Sequence, residues 1–144
     1  GYAAGNRVII DKMIKLQENL VACVATPSQY AAMKALDALN RVSEMTEIYR
    51  ERRDLIVEGL NNIKGISCIK PKGSFYVFPN IKALGKTSEE VANELLEKAG
   101  VITVPGSAFG AQGEGYLRIS YANSLDNIKE ALNRIEKYTK QLVR

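Results

Sequence analysis

The chain has 144 residues, 20 Lys+Arg against 16 Asp+Glu, 46% hydrophobic residues, two cysteines and no histidine. Without histidine, a Ser-His-Asp or Cys-His catalytic machine and a histidine-ligated zinc or haem site are excluded within these residues, and two cysteines with no CxxC pair cannot form a cysteine-only metal site. The net charge of +4 is spread among interleaved acids, and no apolar run approaches the roughly 18 residues of a membrane span, so neither nucleic acid nor a bilayer is an expected partner.

The first five residues, Gly1-Tyr2-Ala3-Ala4-Gly5, are small and apolar with no Met and no polar lead-in. Such a stretch suits a buried turn or strand better than a free terminus, so it reads as a cut end within a longer protein. Over residues 7–21, Val8, Ile9, Met13, Leu16, Leu20 and Val21 recur at helical spacing between Asp11, Lys12, Lys15 and Glu18. Pro27 breaks that pattern. Thr26 or Ser28 can cap a second helix over residues 29–39, and a longer one follows over residues 40–60. The charged run Glu51-Arg52-Arg53-Asp54 on the longer helix reads as a solvated face. Cys23 and Cys68, widely separated, read as buried reduced thiols, which points to the cytoplasm.

The period changes near Gly65. Ile66-Ser67-Cys68-Ile69 is short and β-prone, and Phe75-Tyr76-Val77-Phe78, closed by Pro79, is an aromatic strand. Thr87-Ser88-Glu89-Glu90 has the form of a capping box, and Gly100 ends the helix it starts. Gly85-Lys86-Thr87 is not a phosphate loop, because the glycine required five positions earlier is Asn80; it reads as a turn into the capping box. Val101-Ile102-Thr103-Val104 and Tyr116-Leu117-Arg118-Ile119-Ser120-Tyr121 are strands flanking a glycine-rich loop, and Ser124 can cap a last helix with one apolar face out to Leu142. The expected fold is α/β in the α+β sense: N-terminal helices, then a small sheet with helices packed on it.

Two features hold candidate chemistry. The loop over residues 105–115 is either a flexible connection or the mouth of a site where backbone approaches a ligand. Arg118 is planted mid-strand, with Tyr116, Arg118 and Ser120 on one side and Leu117, Ile119 and Tyr121 on the other. A guanidinium in that setting either pairs with an acidic helix residue or grips the carboxylate of a ligand through two parallel N–H···O bonds. Local chemistry leaves both open.

In order along the chain, Gly1-Tyr2-Ala3-Ala4-Gly5, Ser28-Gln29-Tyr30-Ala31-Ala32, Glu51-Arg52-Arg53-Asp54, Pro71-Lys72-Gly73-Ser74-Phe75-Tyr76-Val77-Phe78-Pro79, Val104-Pro105-Gly106-Ser107-Ala108-Phe109-Gly110 and Tyr116-Leu117-Arg118-Ile119-Ser120-Tyr121-Ala122 resemble the C-terminal part of fold-type I pyridoxal-phosphate-dependent aminotransferases of class I/II, the aspartate aminotransferase group. The resemblance implies that residues 1–39 are the tail of a large cofactor-binding domain and residues 40–144 a small C-terminal domain with its long connecting helix. It implies that Arg118 holds the substrate α-carboxylate, that Gly73 and Phe75 border the substrate, and that residues 105–110 lie near it. The implied reaction moves an amino group between an amino acid, aspartate among the candidates, and a 2-oxo acid, in a homodimer whose shared boundary passes near residues 20–30. The implied cofactor is pyridoxal 5'-phosphate in the full-length enzyme. The family's Schiff-base lysine precedes the Gly1-Tyr2 match and no lysine here matches it, so these residues alone are expected to be inactive and to bind no cofactor covalently. A free-standing carboxylate-binding or assembly module with the same small-domain fold is the alternative. Val8, Ile9 and Leu20 are expected to be exposed and to promote self-association.

Overall fold

The computed structural model describes residues 1–142; the last two positions of the segment read as residues 40–144 lie outside the described residues. The chain divides into two compact units, Gly1–Ser43 and Glu44 onward.

The first unit holds α1 (Arg7–Leu20) and α2 (Thr26–Ala35). Asn6 caps α1, its side-chain oxygen accepting from the Val8 N–H at 2.9 Å. α1 ends before Pro27, which sits in the first turn of α2, where its missing N–H costs nothing. Thr26 therefore lies inside the helix, and Ala25 takes the cap position with no side-chain bond. Neither helix has a buried residue: Val8 is 69%, Ile9 61% and Leu20 78% exposed. Cys23, in the connection between them, is exposed, so the reading of both thiols as buried holds for Cys68 alone.

The long helix α3 (Leu39–Asn61) leads to β1 (Tyr76–Val77), α4 (Ser88–Glu94), β2 (Val104–Pro105), β3 (Leu117–Ser120) and α5 (Leu125–Leu142). β3 is central, antiparallel to β1 on one side and β2 on the other. The core lies in the second unit. One face of the sheet gives Val77, Leu117 and Ile119 to it, and the helices give Leu60, Val91, Leu95, Ile128, Ile135 and Tyr138. Gly59 lets α3 and α5 approach closely, since a Cβ there would sit 2.4 Å from a Leu132 methyl. The strands are shorter than the sequence predicts. Ile66-Ser67-Cys68-Ile69 contributes only a bridge from Ser67 to Asn80, and the run before β2 pairs only from Val104.

The charged run on α3 is solvated only in part. Glu51 is exposed, whereas Arg52, Arg53 and Asp54 are half-buried; Asp54 accepts from Arg53 Nε at 2.8 Å and meets Lys70 Nζ at 2.8 Å. The Arg53 hydrogen bond, then that of Lys70, lowers the Asp54 carboxyl to about 2. Glu94 is likewise lowered to about 2, by the Lys86 ammonium first and the Tyr138 hydroxyl second. Both folded-state values lie below the ordinary 3.8 and 4.5, so this stabilisation is complete above those values and is lost as pH falls towards about 2. Urea-unfolding free energy should therefore drop across that window, and Glu94→Gln should flatten the drop. A pH-independent stability there contradicts the assignment.

Thr87 and Glu90 form the capping box the sequence predicts: Glu90 N–H donates to Thr87 Oγ1 at 3.2 Å and Thr87 N–H to Glu90 Oε2 at 2.9 Å. Thr87→Ala should cost about 1 kcal/mol, read as a lower urea midpoint at unchanged slope.

Candidate functional site

The outward face of the sheet is organised around Arg118. Pleating turns Leu117 and Ile119 inward, so Arg118 stands on the opposite face with Tyr116 and Ser120. Register places Val104 of β2 directly across from Arg118, and Tyr76 of β1 across from Ser120. The Tyr76 ring centroid lies 4.4 Å from the guanidinium carbon. From the 3-10 turn Gly106–Phe109, just after β2, the Phe109 ring centroid lies 4.6 Å from the same carbon.

The guanidinium is thus within cation–π distance of two aromatic rings, each contact contributing roughly 0.5–2 kcal/mol. A ring contact takes up none of the conventional acceptor-seeking capacity of the five guanidinium N–H donors. Arg7, Arg50, Arg53 and Arg134 each meet a carboxylate, at 3.7, 2.9, 2.8 and 2.7 Å. Among the described residues no acid pairs with Arg118. A half-buried, oriented cation with no paired acid has the chemistry to bind an anion, and a planar carboxylate matches its fork.

The surroundings are aromatic. Phe78 stacks nearly parallel on Tyr116 at 5.3 Å and meets Phe109 edge-on at 6.3 Å, while Lys82 Nζ lies 5.1 Å from the Tyr116 ring centre. Phe75 packs on Tyr76 at 4.4 Å, so it reaches Arg118 through that ring and not directly. Its backbone is fixed to β3 by the Tyr121 N–H, which donates to Phe75 O at 2.9 Å. The Tyr121 hydroxyl donates to Ser74 O at 2.6 Å, holding a residue with φ of +67°. Gly73 is exposed, and a Cβ there would meet nothing within 4 Å. Sequence reasoning placed Arg118 but missed Tyr76 and Phe109 as its ring partners. The parity of Tyr76 and Phe78 on their strand was the available signal for the first; the second depends on how the loop folds.

A lysine that forms an imine needs a desolvated or electropositive pocket that lowers its affinity for the proton. Among the described residues every lysine is exposed except Lys86, which is half-buried and bonded to Glu94. These residues do not fit covalent attachment of an aldehyde cofactor.

Residues 1–135 match the family model described as aminotransferase class I and II. The chain belongs to the class I and II aminotransferases. It is 46% identical over 140 residues to an aspartate aminotransferase of Pyrococcus horikoshii, covering 95% of this chain and 36% of that protein. It is 42% identical over 144 residues to aromatic-amino-acid aminotransferase 2 of Thermococcus litoralis, covering 98% of this chain and 37% of that one. The crystal structure of an aromatic aminotransferase from P. horikoshii superposes with a TM-score of 0.90 at 43% identity, covering 96% of this chain and 38% of that chain. This aminotransferase chain therefore spans a little over a third of the length of the relatives it matches. The family implies pyridoxal phosphate as cofactor, and no helix among the described residues is long and apolar enough to cross a membrane.

Proposed function

We propose that this chain is the substrate-anchoring, C-terminal portion of an aminotransferase that moves an amino group between an amino acid and a 2-oxo acid. Arg118 grips the α-carboxylate common to both. The observation that supports this is the state of that side chain: in contact with the Tyr76 and Phe109 rings, half-buried, and with no carboxylate of its own among the described residues. Holding the carboxylate at two points fixes the direction of the α-carbon, which converts binding into orientation. In this reading Phe75 and Gly73 border the substrate, Phe75 packing on the Tyr76 ring at 4.4 Å.

In this reading residues 1–39 belong to the large domain of the enzyme and residues 40–144 to its small domain. The pyridoxal phosphate is held by residues outside this chain, the enzyme is a homodimer, and it works in the cytoplasm. Aspartate is a candidate substrate because an aspartate aminotransferase is among the similar proteins, and an aromatic amino acid is a candidate for the same reason. That no lysine among the described residues is desolvated also suits a free-standing carboxylate-binding module.

Two assays divide the readings. Incubated with pyridoxal phosphate and reduced with borohydride, these 144 residues alone should give no stoichiometric adduct by mass, and the full-length protein should give one. The full-length protein should also transfer the amino group of aspartate or an aromatic amino acid to 2-oxoglutarate. A stoichiometric adduct on one lysine of the isolated chain, or a folded, cofactor-loaded full-length protein that transfers no amino group, overturns the proposal.

A further inference from the structure

The loop that places Phe109 on Arg118 is tied down on its far side by a single carboxylate. Glu114 closes that loop just before β3. One of its oxygens accepts from the backbone N–H of Ser88 at 2.8 Å and of Gly115 at 2.9 Å, and the other accepts from the Ser88 hydroxyl at 2.9 Å. Ser88 opens α4 and is wholly buried. With its one proton directed at Glu114, its oxygen is left to accept from Ser107, whose hydroxyl lies 3.2 Å away and whose N–H lies 3.4 Å away. Ser107 belongs to the turn Gly106–Phe109, closed by the Gly110 N–H donating to Ser107 O at 3.0 Å. Fixing Ser107 therefore fixes Phe109 two residues on.

We infer that Glu114 is a positioning residue for the carboxylate anchor, acting through Ser88 and Ser107 to hold Phe109 against Arg118. The inference rests on the reading of Arg118 given above. The donated bonds, the Ser88 N–H foremost, keep the Glu114 carboxyl below the usual carboxylate range, so the tie is ionised at neutral pH. Freed of it, Phe109 no longer holds the guanidinium, and a bound carboxylate has to order a side chain that was previously held. Ordering of that kind weakens binding by about two- to tenfold.

The test uses the full-length enzyme with two variants. Glu114→Gln removes the charge of the tie. Ser107→Ala removes the hydroxyl half of the link to the loop, keeps the longer N–H contact to Ser88 at 3.4 Å and leaves the start of α4 bonded to Glu114, so it separates positioning from folding. Both should raise KM for the amino acid and the 2-oxo acid by about two- to tenfold with kcat near wild type. In an Arg118→Lys background neither should add a further rise, because the effect passes through that arginine. A lower thermal midpoint with unchanged KM in both variants, or effects that multiply with Arg118→Lys, overturns the inference. If Arg118→Lys alone leaves KM unmoved, the carboxylate reading itself falls and takes this one with it. If Arg118→Lys raises KM and the other two variants do not, only the role of Glu114 is lost.

Discussion

Arg118→Lys should raise KM for every amino acid and 2-oxo acid substrate of the full-length enzyme by about ten- to a hundredfold. A hydrogen bond to a charged group contributes roughly 1.5–3 kcal/mol, and about 1.4 kcal/mol corresponds to a factor of ten. Lysine keeps the charge but gives up the planar fork, and its compact ammonium cannot meet both the Tyr76 and Phe109 rings as a guanidinium does. The loss should be general across side-chain classes, because the contact is with the group all these substrates share. It should also fall mainly on KM, since the carboxylate is held before and during the chemistry alike. Arg118 stands on the open face of the sheet, outside the core, so the urea midpoint should fall only by the part of its two aromatic contacts that lysine gives up. Steady-state kinetics with a dicarboxylic and an aromatic substrate checks both parts; a KM change confined to one class contradicts the α-carboxylate assignment.

Gly106→Ala should destabilise the second unit and open the site together. A Cβ at Gly106 would lie 2.0 Å from Gly113 O and 2.7 Å from Tyr116 O, both backbone atoms that no rotamer change can move. The reverse contact is as tight, a Cβ at Gly113 falling 2.0 Å from Gly106 O. Gly106 N–H also donates to Tyr116 O at 2.8 Å, one of the bonds that joins the loop to the strand bearing Arg118. Forcing the loop off β3 should cost about 1–3 kcal/mol, as overpacking elsewhere does. It should also carry Phe109 away from the guanidinium and raise KM. Urea unfolding of Gly106→Ala, Gly113→Ala and the double variant reads this directly: the two singles should each lower stability, and the double should cost less than their sum because both break one contact. An additive double contradicts a shared contact.

What the sequence shows and what it hides have physical reasons. The stripe on α5 is legible because a helix buries one face whatever it packs against, and Ile128, Ile135 and Tyr138 are buried accordingly. The capping box is legible because Thr87 and Glu90 satisfy each other locally. The placement of Arg118 is legible because a pleated strand alternates sides. Strand extents are not, since a β-prone run becomes a strand only where a partner pairs with it. Ile69 is 90% exposed and Ile102 80%, both in runs whose composition suits a sheet. The partial burial of Arg53 and Asp54 is hidden because Lys70, which completes their cluster, lies beyond the end of the helix that bears them. Likewise the Phe109 contact depends on two short 3-10 turns and on a tie from Glu114 to Ser88 across 26 positions, which no local pattern encodes.

The most direct measurement is a crystal structure of the full-length enzyme with a bound amino acid or dicarboxylate analogue. Two Arg118 nitrogens should each lie about 2.7–2.9 Å from a separate oxygen of the ligand α-carboxylate, with the Tyr76 and Phe109 rings still in contact with the guanidinium. A ligand whose α-carboxylate is held by other groups, with Arg118 bonded to a protein acid or turned into solvent, contradicts the account.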